Sequence, residues 1–400
     1  LTHAGMNIDN DGELIQLTDV PFEVTARWRH VQSQYDLRYK PQMGIVLDFY
    51  EGGCVSQSLQ VSYDELSQPA RLDQIFDNFG YSVLKGTVGS FSLHGLLKNY
   101  IKLARPTTIF NIHTRSGWSD DGKLFVAGPE IVTGGSELDK GDESKPISIS
   151  PARGTVADWM THVAQPLVDQ KHACYQWAVS LPLGAALMPL VDFPVSSRGG
   201  FHLFGDSGSG KSIAMSVAGS VLGDSVRTWE MTSSKVEIVG SQSNHRCLLL
   251  DEIGQANKEH VVSSAYNLSS GRGKDRTNSQ MEDVGAFTFE LLFLSNGEAS
   301  YADVVRKETR EDPYAGQMIR FCDILYTKKI APWWDYVTLQ KLKDSISDYH
   351  GAMGRAFLSA IAEKETKSSL RKQYRQTRDA LVRRETSSKF CRVADRFALC

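Results

Sequence analysis

The sequence is poor in cysteine, and the cysteines it has are far apart. Six are spread over 400 residues, with no Cys-x-x-Cys pair and no histidine cluster beside them. A zinc site of the usual ligand spacing is therefore not expected. A framework of disulfides is equally unexpected at this length, so the composition fits a reducing cytosol best. The six are Cys54, Cys174, Cys247, Cys322, Cys391 and Cys400.

Long apolar runs and an excess of positive charge are also missing. No stretch of the sequence reaches the roughly 18–20 residues that a membrane-spanning helix needs. The most apolar segment, residues 178–193, is interrupted by Pro182, Pro189 and Asp192. The formal net charge is −3, so a nucleic-acid partner would have to be held by a local patch or a pore, not by the whole surface.

The remaining composition is that of a folded protein. Apolar residues make up 41% of the chain and charged residues 23%, which argues against disorder. The length allows two or three domains with sizeable cores. Because the sequence starts at Leu1 without an initiator Met and stops in an apolar run, we expect it to be a fragment of a longer protein.

The pattern along the chain predicts an α/β protein in four segments. Residues 1–134 predict a small α+β domain, and residues 135–198 a polar loop followed by a helical bridging segment with Asp158 as its N-cap. Residues 199–330 alternate apolar strands with helices, which is typical of a parallel sheet flanked by helices in a P-loop core. Residues 331–400 predict a helical C-terminal lid region. The predicted N-terminal elements are strands at 44–50 and 55–61 and helices at 72–79 and 91–104.

The strongest motif follows the apolar run that begins at Phe201. It matches G-x-x-x-x-G-K-[ST] in full and is followed by a helical pattern. Its glycines would let backbone N–H groups surround the phosphates of ATP, helped by the positive end of the helix. The lysine would contact the β and γ oxygens, and the serine hydroxyl would bind Mg²⁺. The eight residues are Gly205, Asp206, Ser207, Gly208, Ser209, Gly210, Lys211 and Ser212. The alternative is a chance Gly-Ser turn.

A second motif, the apolar run from Cys247 to Leu250, ends in two carboxylates. Asp251 would join the metal ligands beside Ser212, and Glu252 would polarise the attacking water. An apolar run that ends in Asp-Glu is common and is often only the end of a strand. Its distance from the P-loop favours the Walker B interpretation.

Two further residues are candidates for sensing the γ-phosphate. Asn296 follows a strand predicted at 287–294, where a polar side chain could contact the phosphate; an Asn-Gly turn without chemistry is the alternative. Arg320 precedes a fifth strand, the position from which ring ATPases extend an arginine into the neighbouring subunit's site. It could instead form an ion pair with Asp323 or Glu311.

The segment from Ser270 to Thr277 contains two glycines and three cations and precedes the strand predicted at 287–294. Arg272, Lys274 and Arg276 would suit a hairpin tip that binds DNA phosphates. A solvated turn, or cations facing the nucleotide of an adjacent subunit, are the alternatives. In the basic C-terminal segment, Arg392 or Arg396 could act as a second sensor arginine on a lid helix.

Together these motifs resemble the family called domain of unknown function 927. The matching runs are Gly117-Trp118, Gly200 to Leu203, Gly205 to Ser207, Leu250 to Glu252, Gly271 to Arg276, Ser295 to Glu298 and Arg392 to Ala398. The sequence departs from the family's usual pattern at Ser212, often Thr there, and at Asn296, often Thr or Ser.

The resemblance implies a function as well as a fold. Members occur in bacterial phages, plasmids and genomic islands, and some resemble MCM-like or superfamily 3 helicases of the AAA+ class. It therefore implies a bacterial cytoplasmic ATPase that forms a ring, as in hexamers, with single-stranded or forked DNA through its centre and Lys274 tracking the strand.

Three functions fit the sequence. The leading hypothesis is an ATP- and Mg²⁺-dependent DNA helicase or translocase that serves replication of a mobile element. The first alternative is a ring-forming AAA+ ATPase that remodels or loads protein or nucleic acid without unwinding, as in a defence system. The second is a monomeric switch or kinase-like enzyme, which would need no arginine from a neighbour.

Overall fold

The computed structural model describes residues 6–31, 33, 42–143, 149–255, 258–275, 285–327, 334–363, 367–382 and 387–400. The chain divides into two compact units. The smaller unit comprises the described residues up to Thr114 except Ser33, together with Ser136–Lys140, and the larger unit comprises the others, including Arg115–Gly135 and Gly141–Cys400.

The strands are numbered in chain order. They are β1 (Asn7–Asn10), β2 (Glu13–Gln16), β3 (Phe22–Val31), β4 (Met43–Glu51), β5 (Cys54–Ser62), β6 (Thr87–Val88), β7 (Phe91–Ser92), β8 (Ile109–His113), β9 (Gly117–Trp118), β10 (Phe125–Ala127), β11 (Glu130–Thr133), β12 (Asp139–Gly141), β13 (Gly199–Phe204), β14 (Arg227–Thr228), β15 (Cys247–Asp251), β16 (Leu292–Gly297) and β17 (Phe321–Leu325).

The α-helices are numbered in the same way. They are α1 (Tyr63–Ser67), α2 (Pro69–Asp77), α3 (Leu93–Leu103), α4 (Val156–Trp159), α5 (Gln165–Asp169), α6 (Ala173–Leu187), α7 (Lys211–Leu222), α8 (Ser233–Gln242), α9 (Lys258–Ser270), α10 (Tyr301–Thr309), α11 (Ala315–Arg320), α12 (Tyr336–Asp348), α13 (Ala352–Glu363), α14 (Lys367–Val382) and α15 (Ser388–Leu399). A π-helical turn, Met160–Ala164, joins α4 to α5.

The smaller unit is an α+β fold built on a five-stranded sheet of order β12-β8-β3-β4-β5. Strands β3, β4 and β5 pair antiparallel, and β8 runs parallel to β3. Its core includes the rings of Phe22, Phe49 and Phe76, which pack mostly edge to face. The predicted strands and helices of this region are present, with ends that differ by a few residues.

The larger unit contains a five-stranded sheet of order β14-β15-β16-β13-β17, and all its strands are parallel. Alternate residues of β15 enter different cores, with Leu249 on one face and Leu248 and Leu250 on the other. Helices α6 and α7 pack on the first face, and α8, α9 and α10 cover the second. The predicted parallel sheet flanked by helices is therefore confirmed.

Two local predictions were wrong. Asp158 is not the N-cap of α4; Thr155 is, and its side chain accepts from the Asp158 N–H while the Asp158 carboxylate accepts from Thr155. The strand predicted at 287–294 is two elements. Gly273 and Phe289 donate backbone hydrogen bonds across a hairpin base, to Phe287 at 2.8 Å and Gly271 at 2.9 Å respectively, and only from Leu292 does the chain join the sheet.

The three short strands β9, β10 and β11 belong to the larger unit, although the sequence pattern had grouped residues 1–134 together. Trp118 explains this placement. Its backbone N–H donates to His245 Nδ1 at 3.0 Å, and its indole N–H donates to the Ala186 carbonyl at 2.9 Å. These contacts join the Gly117-Trp118 strand to residues that are distant in sequence.

Within the described ranges no helix is both long enough and apolar enough to span a membrane.

Gly117→Ala is expected to destabilise the larger unit by about 2–4 kcal/mol. Gly117 has φ of +95°, and an added Cβ would lie 2.5 Å from His245 Nδ1 and 2.8 Å from Asn244 Nδ2, both on buried side chains. Thermal unfolding followed by circular dichroism would measure the loss.

Gly122→Ala is the matched control for that variant. Gly122 also has positive φ, +71°, but its added Cβ would meet the mobile end of Lys367 at 2.6 Å. This variant should lose about 1–2 kcal/mol of unfolding free energy, because only its backbone conformation is strained. Equal losses for the two variants would contradict the account of how Gly117 packs.

Candidate functional site

The loop at the carboxyl end of β13 has the backbone needed to surround an anion. Gly205 and Gly210 have φ of +145° and +106°. A Cβ at Gly205 would lie 2.8 Å from the Tyr326 carbonyl, and one at Gly210 would lie 2.5 Å from the Tyr175 hydroxyl. Helix α7 begins directly after Gly210, so its free N–H groups and positive dipole end point toward the loop.

Lys211 is folded over this loop and is only 7% exposed. Its ammonium donates to the carbonyls of Gly205 at 2.8 Å and Asp206 at 2.6 Å. Burial lowers the pKa of Lys211, while the negative charges of Glu298 and Glu252 oppose that shift. The loop therefore holds a cation that its own carbonyl oxygens solvate.

Asn296 connects the loop helix to the end of β15. Its side-chain N–H donates to Ser212 Oγ at 3.2 Å, and its side-chain oxygen accepts from the Glu252 backbone N–H at 2.8 Å. Ser212 Oγ also donates to Asp251 Oδ1 at 3.4 Å. The structure thus brings together the residues proposed from three separate motifs.

Glu252 has a strained backbone at this junction. Its φ of +57° lies in the left-handed region, which a non-glycine residue rarely adopts. Such strain persists only where the surroundings hold it, and here the bond from Glu252 N–H to Asn296 does so. The charge of its carboxylate acts on Lys211.

The oxygen atoms present fit a magnesium ion that takes most of its ligands from water and phosphate. Mg²⁺ is usually held by one or two carboxylates together with phosphates and water. Ser212 and Asp251 offer a hydroxyl and a carboxylate side by side. Among the residues that the structure describes, no group of three or more His, Cys, Asp or Glu side chains is placed to hold a metal by itself.

Sequence reasoning missed two tyrosines that line this loop. The Tyr175 hydroxyl donates to the Gly210 carbonyl at 3.1 Å, and burial raises the pKa of Tyr175 to about 12. Tyr326 directly follows β17, and its backbone N–H donates to the Phe204 carbonyl at 2.7 Å. The position of Tyr326 at the end of a parallel strand was a usable signal, whereas Tyr175 lies on α6 and gave none.

His202 is a fully buried residue within β13. Its Nδ1 lies 3.0 Å from Ser295 Oγ, and its Nε2 lies 2.9 Å from the Ala299 carbonyl. Burial, aided by the charge of Lys211, lowers the pKa of His202 to about 4. The ring is therefore neutral at physiological pH.

Arg320 lies at the opposite edge of the sheet from the loop. It ends α11, and the register pairs the following residue, Phe321, with Gly200, while Leu325 pairs with Phe204 next to the loop. Four residues of strand separate the two edges by roughly 13 Å. Its guanidinium stacks over the Tyr266 ring at 5.4 Å.

Asp323, one of the proposed ion-pair partners of Arg320, and two nearby arginines have contacts of their own. The Asp323 carboxylate accepts from the backbone N–H groups of Tyr301 at 3.0 Å and Ala302 at 3.3 Å, capping α10. Arg306 and Arg310 are the other arginines near Arg320 in sequence that could take its role, and Arg306 pairs with Asp303 at 3.0 Å and with Asp312 at 2.6 Å. Arg310 is the C-cap of α10.

Arg396 cannot be a sensor of this site. It is fully buried at the same edge as Arg320, where it donates to the Arg320 carbonyl at 2.9 Å and to the carbonyls of Gly200 and Ile319. The prediction failed because a basic, amphipathic helix suggested a solvated lid, whereas α15 packs against α6 and α11. Arg396 instead hydrogen-bonds to backbone carbonyls at the amino end of the sheet.

The cationic segment begins at a hairpin base. Arg272 bridges to Thr288 in antiparallel fashion, and its guanidinium donates to Asp275 at 2.8 Å. Arg272 and Lys274 are both exposed. Arg276 lies outside the described residues.

Comparison with known proteins identifies the family. Residues 84–282 match the family described as Domain of unknown function (DUF927). The resemblance to that family seen in the sequence is therefore confirmed over these residues. No curated protein matches the sequence.

Comparison with solved structures identifies the fold. The structure described as "SCCmec type IV Cch - active helicase" has a TM-score of 0.70 and 15% identity, over 100% of this chain and 71% of that one. The structure described as "The A form apo structure of NrS-1 C terminal region-CTR" has a TM-score of 0.34 and 11% identity, over 92% and 76% of the two chains. The first shows a shared fold; the second value is too low to do so.

The buried, neutral His202 predicts a loss of stability in mild acid. The unfolded chain binds a proton at an ordinary pKa of 6.5, but the folded chain does so only near 4. The stability that depends on a neutral His202 is thus fully present above pH 6.5 and is lost as the pH falls toward 4. The free energy of unfolding should fall by at most about 3 kcal/mol over this range.

Unfolding by urea at pH values from 7 to 4.5 would measure this effect. His202→Gln should flatten the dependence of the unfolding free energy on pH, even if it lowers stability throughout. An unchanged slope in that variant would show that other groups cause the acid sensitivity.

Proposed function

We propose that this chain is the ATPase core of a DNA helicase or translocase, of the AAA+ type, that hydrolyses ATP with Mg²⁺ and works as a ring. The observation that carries the proposal is the set of contacts made by Asn296. They join the P-loop helix, through Ser212, to the acidic end of β15, through Glu252.

The loop from Gly205 to Gly210 would bind the triphosphate. Its backbone N–H groups and the positive end of α7 favour an anion there. Lys211 already lies at the loop, and phosphate oxygens would replace the carbonyls of Gly205 and Asp206 as its partners. This exchange keeps the buried ammonium fully hydrogen-bonded.

The residues around Ser212 would carry out hydrolysis. Mg²⁺, held by Ser212 and Asp251, would neutralise charge on the β and γ phosphates. Glu252 would accept a proton from the attacking water, since it directly follows Asp251 at the carboxyl end of β15. Asn296 would position both groups, since it contacts one through its N–H and the other through its oxygen.

The location of Arg320 supports a ring. It lies at the edge of the sheet away from its own P-loop, so only a neighbouring subunit's nucleotide would be within its reach. An arginine supplied in this way stabilises the charge of the transition state. In a hexamer, each subunit would supply one such arginine to the ATP site of its neighbour.

The cations at the hairpin base support DNA as the substrate. Arg272 and Lys274 are exposed, and with Arg276 they would contact phosphates of single-stranded or forked DNA. The similar fold described as an active helicase adds support. These features fit a bacterial cytoplasmic protein that acts in the replication of a mobile element.

A strand-displacement assay with forked DNA, ATP and Mg²⁺ tests the proposal. The unmodified protein should separate the strands, and Lys211→Ala should not, because it cannot hold the phosphates. Glu252→Gln should still bind ATP but hydrolyse it about 100-fold more slowly or worse, since the general base is lost.

Each other result has a defined meaning. ATP hydrolysis that DNA stimulates without strand separation would favour a ring ATPase that remodels or loads its substrate. Rapid hydrolysis by Glu252→Gln would show that another residue activates the water.

Arg320→Ala mixed with unmodified protein tests the ring. If each site needs an arginine from its neighbour, ATPase activity should fall more steeply than the fraction of variant added. Arg306→Ala is the matched control, since Arg306 is held by Asp303 and Asp312, and activity in its mixtures should change in proportion. A proportional response to Arg320→Ala would point to an enzyme that works as a monomer.

A further inference from the structure

A cavity of about 590 Å³ lies within the larger unit, at the amino-terminal edge of its parallel sheet. The cavity is lined by residues just before three strands: Arg198 before β13, His245 before β15 and Glu290 before β16. Its volume is in the range of small-ligand sites. The P-loop lies at the other edge, about 16 Å away along the six residues of β13. The cavity is therefore separate from the proposed ATP site.

Four cationic side chains line this cavity: Arg115, Arg198, Arg272 and Lys367. They come from separate parts of the sequence, so neither charge patterning nor motif spacing could reveal the group. Buried His245 also lines the cavity; burial, and then the charges of Arg115 and Arg198, lower its pKa to about 3. The imidazole is neutral, and its Nδ1 accepts from Trp118.

The cations have partners in the structure, and some of these partners are acidic. Arg198 pairs with Glu290 at 2.9 Å, and Arg272 pairs with Asp275 at 2.8 Å. Lys367 donates to a backbone carbonyl, that of Asp121, at 3.0 Å. Two more carboxylates, Asp120 and Asp192, lie in the lining, the second paired with Arg371 at 3.0 Å.

Arg198 is the residue most clearly available to a ligand. Its Nε is buried and makes no hydrogen bond of good geometry with the described residues. A guanidinium carries five N–H donors, so Arg198 keeps donors for a bound anion beside its pair with Glu290. The same guanidinium lies against the hairpin base, since a Cβ on Gly271 would be 2.9 Å from Arg198 Nη1.

Apolar groups complete the cavity. Trp118, Phe193 and Phe289 lie in its lining beside the cations. A ligand that carries a phosphate next to a flat, partly apolar base or sugar would satisfy both kinds of surface. The hairpin base forms one wall, through Gly271 and Arg272, so a strand bound by the hairpin would pass the mouth of the cavity.

We propose that this cavity binds a phosphodiester of the nucleic-acid strand that the hairpin base contacts, with Arg198 and Lys367 as its phosphate-binding residues. The inference rests on the proposed function as regards DNA. It adds a second anion site to the larger unit, at the edge of the sheet opposite the P-loop. Contact here would anchor the strand beside the hairpin whatever its sequence, because a phosphate contact carries no base information.

Equilibrium binding of a labelled single-stranded oligothymidine, measured by fluorescence anisotropy at several salt concentrations, tests the proposal. Arg198→Gln should raise the Kd about tenfold, as expected for loss of one charge-assisted hydrogen bond. It should also reduce the slope of log K against log salt by about 0.7, the value for one phosphate contact on a single strand.

Glu290→Gln separates a binding role from a structural one. It breaks the same ion pair as Arg198→Gln but leaves the cation in place, so it should bind DNA as tightly as the unmodified protein or more tightly. If Glu290→Gln weakens binding as much as Arg198→Gln does, the ion pair is structural and the proposal is wrong.

Two more variants keep the test decisive if Arg198→Gln does not fold. Lys367→Gln removes an exposed cation of the cavity and should reduce the salt slope in the same way. Lys343→Gln removes an exposed cation of α12, away from the cavity, and should not. Equal slopes for these two would overturn the proposal, whereas no DNA binding by the unmodified protein would overturn the proposed function itself.

Discussion

The side chain of Asn296 makes two hydrogen bonds on which the arrangement of the candidate site depends. One is donated to Ser212 at the start of α7, and the other is accepted from the backbone of Glu252 at the end of β15. Both are possible because β16 lies between β13 and β15 in a sheet whose strands all run in one direction. The carboxyl ends of the three strands therefore meet, and the amide of Asn296 can donate to one neighbour through its NH₂ group while its oxygen accepts from the other.

The two edges of this sheet have different chemistry. At the carboxyl edge, glycines, a lysine and carboxylates surround the loop that follows Phe204. At the amino edge, Arg396 is buried against backbone carbonyls, Arg320 stacks on Tyr266, and Arg198 lies in the wall of a cavity. The three arginines at the amino edge have different roles. Arg396 is structural, Arg320 is proposed to act on a neighbouring subunit, and Arg198 is proposed to bind a nucleic-acid strand.

Much of the larger unit could be predicted because its signals are local. The P-loop is contiguous from Gly205 to Ser212, and the acidic pair directly follows a wholly apolar strand, so position in sequence fixes position in the sheet. The contacts of Tyr175 and His245 could not be predicted, since each joins segments that are distant in sequence. Arg396 was misjudged because hydrophobic patterning shows which residues share a helix face, but not whether another element covers it. The predicted strand at 287–294 failed because β-propensity does not distinguish a hairpin arm from a sheet strand.

The folded-back side chain of Lys211 affects which anions the loop can hold. The ammonium already has the carbonyls of Gly205 and Asp206 as acceptors, so an incoming ligand gains only the difference between its own oxygens and those two. A single inorganic phosphate offers little beyond what is already there. If the loop binds ATP as proposed, a chain of phosphoryl groups would replace both carbonyls and still occupy the amides of the loop, so the resting conformation of Lys211 would favour longer polyanions.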